Sequence, residues 1–318
     1  MRPTLPPIAA ALLLLLGLAC GSSPGPGESD ALPSDASPST AGLPERPDLE
    51  PLVEGPVSPD GLRAVLGTGD LGIGTHRVGF VLTSPQGFVT TPALEVSSRY
   101  LGPGSDGEAA ETATAEFHAW PYAGRGLYAT QLTFDRAGSW AIDIAVERPD
   151  GSVQTAELPF QVAEATSAPA VGSPAVESVN RIIRDVDTLA ELSTGSLQDP
   201  DLYQITIADA VTGGMPTVVV MASPAFCANA VCGPQVEVLQ ELKNAYSGLA
   251  NFIHVDFYDN PHEIQGNLET ARLSPTVREW RLASIEWTYV IDADGIVSAR
   301  FEAFATFAEV EKALLQLL

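Results

Sequence analysis

"PTVVVMASPAFCANAVCGPQVEVLQELKNAYSG", residues 216–248, joins three different patterns in one run. Segment 216–223, with Val218 to Ala222 an apolar, partly β-branched run, reads as a buried strand. After Gly233 and Pro234 the period changes, and Val236, Leu239, Leu242 and Tyr246 fall along one side of a helix. Between strand and helix stand Cys227 and Cys232, separated by four residues, in "SPAFCANAVCG", which has no charged side chain.

Working outward, "NFIHVDFYD" (251–259) reads as a second strand, "WTYVIDAD" (287–294) and "GIVSARFE" (295–302) as a hairpin, and "TFAEVEKALLQLL" (306–318) as a closing helix. Upstream, "VESVNRIIRDVDTLAEL" (176–192) reads as another helix. A βαβ crossover followed by a hairpin and a last helix is the order of a small mixed α/β domain. Residues 58–163 have a different rhythm. In "GLYATQLTFDRAGSWAIDIAVERPDGSVQ" (126–154), Tyr128, Thr130, Leu132 and Phe134 share one face; after the turn "DRAG", Trp140, Ile142, Ile144 and Val146 share another. That period of two predicts antiparallel strands, and similar runs elsewhere in the region bring the expected total to about seven. The expected arrangement is an all-β sandwich similar to immunoglobulin-like modules. The stretch "AEATSAPAVGSPA" marks the boundary, giving a linker at 164–176 and an α/β domain at 177–318.

The beginning of the chain is not globular. Arg2, the apolar run Ile8 to Leu16 and the small residues before Cys20 predict an export signal over 1–20, too short for a membrane span. "LLGLAC" resembles the lipobox of bacterial lipoproteins, although Gly17 departs from its usual aliphatic residue. The resemblance implies lipid on Cys20 and attachment to the extracytoplasmic face of a cell membrane. Residues 21–57, rich in Ser, Pro, Gly and acids, predict a tether without a core. With 40 acids against 16 bases, a net charge of -24, nucleic acid and anionic membrane surfaces are poor partners for the body, since both repel it, and no nucleic acid is expected.

Residues of about 200–318 resemble the thioredoxin fold, on "PTVVVMAS", the cysteines at the head of a helix, "CGP" and the hairpin "TYVIDADGIVSARFE". The spacing is not the family's Cys-x-x-Cys; it is similar to a variant exported group and, more distantly, to Sco-type copper chaperones. The resemblance implies a thiol–disulfide oxidoreductase acting on exported protein thiols or disulfides, with no cofactor: Cys227 attacks and Cys232 resolves. A helix amino terminus supplies unpaired N–H groups and the positive dipole end that favour a thiolate. Two alternatives stand beside it. One is a Cu(I) carrier of Sco type, using the same two sulfurs as metal ligands. The other is a binding module in which the pair is only a structural disulfide, contributing about 2 kcal/mol for so short a loop. A metal would need a third ligand, for which His254 and His262 are the first candidates, in no spacing typical of zinc.

Thioredoxin-like domains usually carry a cis-proline before the hairpin, and alignment of "IEWTYVID" puts Glu286 there. A non-proline cis bond costs about 2.5 to 4 kcal/mol, so a trans peptide and an altered substrate groove are expected. Glu286 is then either a carboxylate near the thiols, as proton acceptor or extra metal ligand, or a side chain pointing into solvent. Two other motifs have simpler explanations. "GTGDLG" (67–72) precedes a strand where a phosphate loop needs a helix, and "DADG" (292–295) is a hairpin turn lacking the glutamate of a calcium loop.

Overall fold

Eight strands in the first half of the chain are β1 (Arg63–Leu66), β2 (Gly74–Ser84), β3 (Gly87–Phe88), β4 (Ala93–Tyr100), β5 (Glu111–Ala119), β6 (Gly126–Phe134), β7 (Gly138–Glu147) and β8 (Val153–Val162). They appear in a computed structural model that describes residues 52–121, 124–196, 198–226 and 232–318. The expectations for Cys20, for Cys227 and for the chain before residue 52 lie outside those residues. All eight strands pair antiparallel in one sheet of order β1-β2-β6-β5-β4-β7-β8, with the short β3 beside β2.

This is not the expected sandwich. β5 pairs with β4 through its first half (Glu111 to Glu116) and with β6 through its second (Glu116 to Ala119). The sheet therefore turns over through a shared strand, and its end strands β1 and β8 lie against each other. The result is a nearly closed, barrel-like sheet. Alternation in sequence fixes which side chains share a face, but says nothing about which strands pair, and pairing is what separates two stacked sheets from one sheet closing on itself. The inner face follows the alternation: Val78, Phe80, Leu82, Leu132, Trp140, Ile142 and Ile144 are all buried. Phe134 meets Trp140 and Phe160 edge-on, with ring centroids 5.2 and 5.6 Å apart.

The second half contains a four-stranded sheet. β9 (Thr217–Met221) lies parallel to β10 (Asn251–Val255) and antiparallel to β11 (Trp287–Ile291), which pairs antiparallel with β12 (Val297–Glu302). Every residue of β9 and β11 is buried, Thr217 and Thr288 included, as near-continuous apolar runs require when both faces are covered. Among the described residues five α-helices accompany it: α1 (Ile207–Thr212), α2 (Cys232–Ala245), α3 (Pro261–Ile264), α4 (Pro275–Glu279) and α5 (Phe307–Leu314). α2 and α5 cover one face, where Val236, Leu239, Leu242 and Leu314 meet Val218, Val220 and Val290.

The expectation of an α/β thioredoxin-like domain preceded by a separate all-β domain is overturned. The chain is mostly β, and residues 43–318 form one compact unit. The physical reason lies in β6. Its alternating face turns into the barrel, while Leu127 and Ala129 on the opposite face are also buried, in the same apolar cluster as Val218, Cys232, Phe301, Phe304 and Leu314. Residues 163–175 are fastened to both sheets. Ala163 bridges Gly72, Ser167 N and Ala168 N donate to the Asp70 carboxylate at 2.6 and 3.1 Å, and Pro174 bridges Ile296.

The expected helix at 176–192 is absent too; only the single turns Ile183–Asp185 and Leu189–Glu191 form, and Val179 is 82% exposed. Local carboxylates take the amides a helix would use. Asp185 accepts from Ile182 N, and Glu191 from Asp187 N and Thr188 N.

Candidate functional site

β9 ends at Met221 and α2 begins at Cys232. Cys232 is the first residue of that helix and is fully buried, followed by Gly233 and by Pro234, whose missing N–H costs nothing in a first turn. Gln235, one turn along, accepts from Ala305 N at 2.8 Å and ties α2 to the connection between β12 and α5. Cys227 lies outside the described residues, so the structure places one member of the pair.

The approach to Cys227, Ala222 to Phe226, is held by polar groups of which the sequence reading singled out only His254, and that as a metal ligand. Ala222 N donates to Val255 O at 3.2 Å, and Phe226 N closes a turn on Ser223 O at 3.2 Å. His254 on β10 lies under the same segment. Its Nε2 is 3.0 Å from Ala222 O and its Nδ1 is 2.6 Å from the Tyr203 hydroxyl. A carbonyl can only accept, so Nε2 carries the proton and Nδ1 accepts from Tyr203. Burial pushes the His254 pKa down to about 4. With both ring nitrogens committed and the imidazole neutral, His254 does not offer a lone pair to a metal. His262 sits on α3 with a side chain 40% exposed, 3.8 Å from Glu263.

Asp256, two residues beyond His254, is 3% exposed. Its Oδ2 accepts from Thr194 N at 2.7 Å and Thr194 Oγ1 at 2.9 Å, and its Oδ1 from Tyr258 N at 3.0 Å. Burial pushes its pKa up to about 6, and those hydrogen bonds restrain the rise. Thr194 Oγ1 also lies 3.0 Å from Ser223 Oγ and accepts from Ala225 N at 3.1 Å. The only sequence signal for this network is the spacing of His254 and Asp256, which puts both on one face of a strand. Tyr203, Thr194 and Ser223 come from distant segments and leave no local pattern. A groove of about 210 Å³ opens beside the segment, lined by Thr194, Gly195, Pro224, Ala225, Gly233 and Glu237 among others.

Glu286 stands immediately before β11 and is 2% exposed, so the solvent-facing alternative is not what the structure shows. Its carbonyl accepts from Ala303 N at 3.0 Å, and every peptide among the described residues is trans. A larger cavity, about 440 Å³, is lined from both sheets, Asp70, His76 and Arg77 on one side and Arg300 and Glu302 on the other. Among the described residues no three His, Cys, Asp or Glu side chains gather as a metal site.

No family model matches the chain, and no curated protein matches it. Among solved structures it is similar to a thiol:disulfide interchange protein of the thioredoxin family from Chlorobium tepidum TLS. That match has 14% identity and a TM-score of 0.28, over 34% of this chain and 83% of the other. It is also similar to the PmoD soluble domain from Methylocystis sp. ATCC 49242 (Rockwell), at 18% identity and a TM-score of 0.19, over 30% of this chain and 78% of the other. Both likenesses are distant.

Proposed function

We propose that the protein carries out thiol–disulfide exchange with exported proteins through Cys227 and Cys232, held at the extracytoplasmic face of a membrane by lipid on Cys20. The observation that carries this reading is the setting of Cys232, buried as the first residue of a helix of 14 residues. Cys227 stands just before that helix in the sequence, where the positive end of the helix dipole favours a thiolate once the pair is reduced.

In the reducing direction the Cys227 thiolate attacks one sulfur of a partner disulfide. A mixed disulfide forms, the partner's S–S bond breaks, and the partner's other sulfur leaves as a thiolate and takes a proton. The Cys232 thiolate then attacks Cys227 Sγ and expels the second partner thiol. The partner has gained two electrons and two protons, and the Cys227–Cys232 pair is left as a disulfide. The reverse sequence oxidises a dithiol. The groove lined by Pro224 and Ala225, three and two residues before Cys227, would seat the partner's chain.

The test is exchange with a dithiol or disulfide substrate, together with the reduction potential of the pair. Cys227→Ser should abolish turnover, and Cys232→Ser should accumulate mixed disulfides on Cys227. A pair that resists strong reductants, in a protein with no exchange activity, would make it a structural clip. An inactive protein that takes up Cu(I) in anaerobic titration would favour the copper carrier.

A further inference from the structure

The cavity of about 440 Å³ between the sheets is walled by charges that are already matched. Arg77 meets Glu309 through Nε and donates from its Nη atoms to the carbonyls of Glu302 and Phe304. Arg300 donates to Ala168 O and Pro169 O and pairs with Asp70. Both carboxylates on the walls also accept at each oxygen: Asp70 from Ser167 N and Ala168 N, Glu302 from Asp70 N and Ser284 Oγ. Two guanidiniums thus face two carboxylates, and a chain of net charge -24 offers an anion no long-range attraction. A cation would have to draw a carboxylate away from its present donors. The occupant these walls suit is uncharged.

What the walls leave unmatched is neutral. His76 Nε2 is buried without a hydrogen-bond partner, and its ring is stacked on Phe134 at 6.4 Å between centroids. Burial lowers the His76 pKa and Arg300 lowers it further, so the ring is a neutral imidazole with one nitrogen to donate and one to accept. Gln131 of β6 and Ser298 of β12 line the same cavity, both exposed and with no side-chain hydrogen bond among the described residues. Ile73 and Val171, 43% and 59% exposed, add apolar surface to the wall. Single donors and acceptors set among apolar patches match a sugar ring, whose hydroxyls both give and accept and whose C–H faces are apolar. An extended peptide would need a run of open strand edge, and β12 does not provide one. Gly172 N donates to Val297 O at 2.8 Å, Val297 N donates to Ser173 O at 2.9 Å, and Glu302 O is taken by Arg77. We propose that this cavity binds a neutral saccharide, with His76, Gln131 and Ser298 hydrogen-bonding its hydroxyls and Ile73 and Val171 packing on a C–H face. Its volume falls within the range of about 300 to 1,000 Å³ usual for small-ligand pockets. A second hollow of about 400 Å³ shares Arg77, Gln131 and Phe301 with it, so a further sugar unit would lie beyond Gln131. The site contains neither cysteine and does not depend on the exchange reading.

The experiment titrates the full chain calorimetrically with glucose, galactose, mannose, N-acetylglucosamine, cellobiose and chitobiose, and in parallel with glucuronate and the capped peptide acetyl-triglycine-amide. At least one of the neutral sugars should bind, and more tightly than glucuronate or the peptide. Removing one hydrogen-bonding partner, in His76→Phe or in Gln131→Ala, should weaken that sugar about five- to tenfold. Gln86→Ala, at the exposed turn after β2, should bind as the parent does. If His76→Phe does not fold, Gln131→Ala and Ser298→Ala decide. Binding by none of these sugars, tighter binding of glucuronate or of the peptide, or a sugar affinity unaltered in the cavity variants would each overturn the proposal. Cys227→Ser should bind the sugar as the parent does, so a failure of the exchange reading and a failure of the saccharide site are told apart.

Discussion

His254 lies in β10 and Asp256 just beyond its end, and burial disfavours the charged form of both. Their effects on stability have opposite signs. His254 goes from 6.5 in the unfolded chain to about 4 in the fold, so between those values only the unfolded chain holds the proton. Its contribution is complete above pH 6.5 and is lost as pH falls toward 4. Asp256 goes from 3.8 to about 6, so in that window only the folded chain holds the proton, and its contribution is lost as pH rises through 6. Each effect is on the order of 3 kcal/mol at its plateau, and between pH 4 and 6 they largely cancel. Buried Glu302, whose pKa burial also raises, adds to the sign of Asp256. Asp256→Asn should therefore be a protein whose stability climbs from pH 4 to 6.5, and His254→Gln one whose stability declines across the same range. Urea unfolding at four pH values distinguishes them, and two parallel curves would show that burial does not govern these groups. Neither role was legible in "NFIHVDFYD": the alternation puts His254 and Asp256 together, but their partners Tyr203 and Thr194 stand 51 and 62 residues away.

At the level of elements, what could be read was whatever a single period determines. β7, β9, β10, the β11–β12 hairpin, α2 and α5 all stand where their apolar spacing puts them. The segment 176–192 has helical spacing but no helix, because side-chain carboxylates outcompete the ladder. β6 shows the second kind of failure. Leu127 and Ala129 fall on the face that alternation assigns to solvent, and residues of β9, α2, β12 and α5, far later in the chain, make that face interior. This difference can be measured. In a free-standing sandwich Leu127→Ala would be a surface change worth under about 0.5 kcal/mol. With Leu127 at 2% exposure in the common core, the expected loss is about 2 to 5 kcal/mol, read by chemical denaturation. Thr306→Ala should cost less, about 1 kcal/mol. It removes the cap in which Thr306 accepts from Glu309 N and Glu309 accepts from Thr306 N at 2.9 Å. A loss for Thr306→Ala equal to that for Leu127→Ala would contradict this ranking of capping below core packing.

Across the whole of residues 43–318, the two sheets exchange arginines. Arg77 of β2 reaches into the second half, where Nε meets Glu309 at 2.9 Å and its Nη atoms donate to Glu302 O at 3.2 Å and Phe304 O at 2.8 Å. Arg300 of β12 reaches the other way. It pairs with the Asp70 carboxylate at 3.1 Å and donates to the carbonyls of Asp70, Ala168 and Pro169. Asp70 N in turn donates to Glu302 at 2.9 Å, whose other oxygen accepts from Ser284 at 2.7 Å. Both arginine side chains are less than a tenth exposed, as is Asp70, so neither guanidinium could regain full hydration without parting the sheets. Such pairs add little net stability against apolar residues, but breaking one strands a buried charge at a cost of about 3 to 5 kcal/mol. Arg300→Met should therefore destabilise the barrel-like sheet and the four-stranded sheet together. The tryptophans provide the probes: Trp140 lies in the core of the first sheet, and Trp280 and Trp287 in that of the second. Variants keeping one tryptophan at a time should give the same thermal midpoint by fluorescence, and Arg300→Met should lower all of them by the same amount. If Trp140 reported a midpoint apart from Trp287, or stayed fixed while Trp287 fell, the halves would be folding separately and the exchanged arginines would not be coupling them.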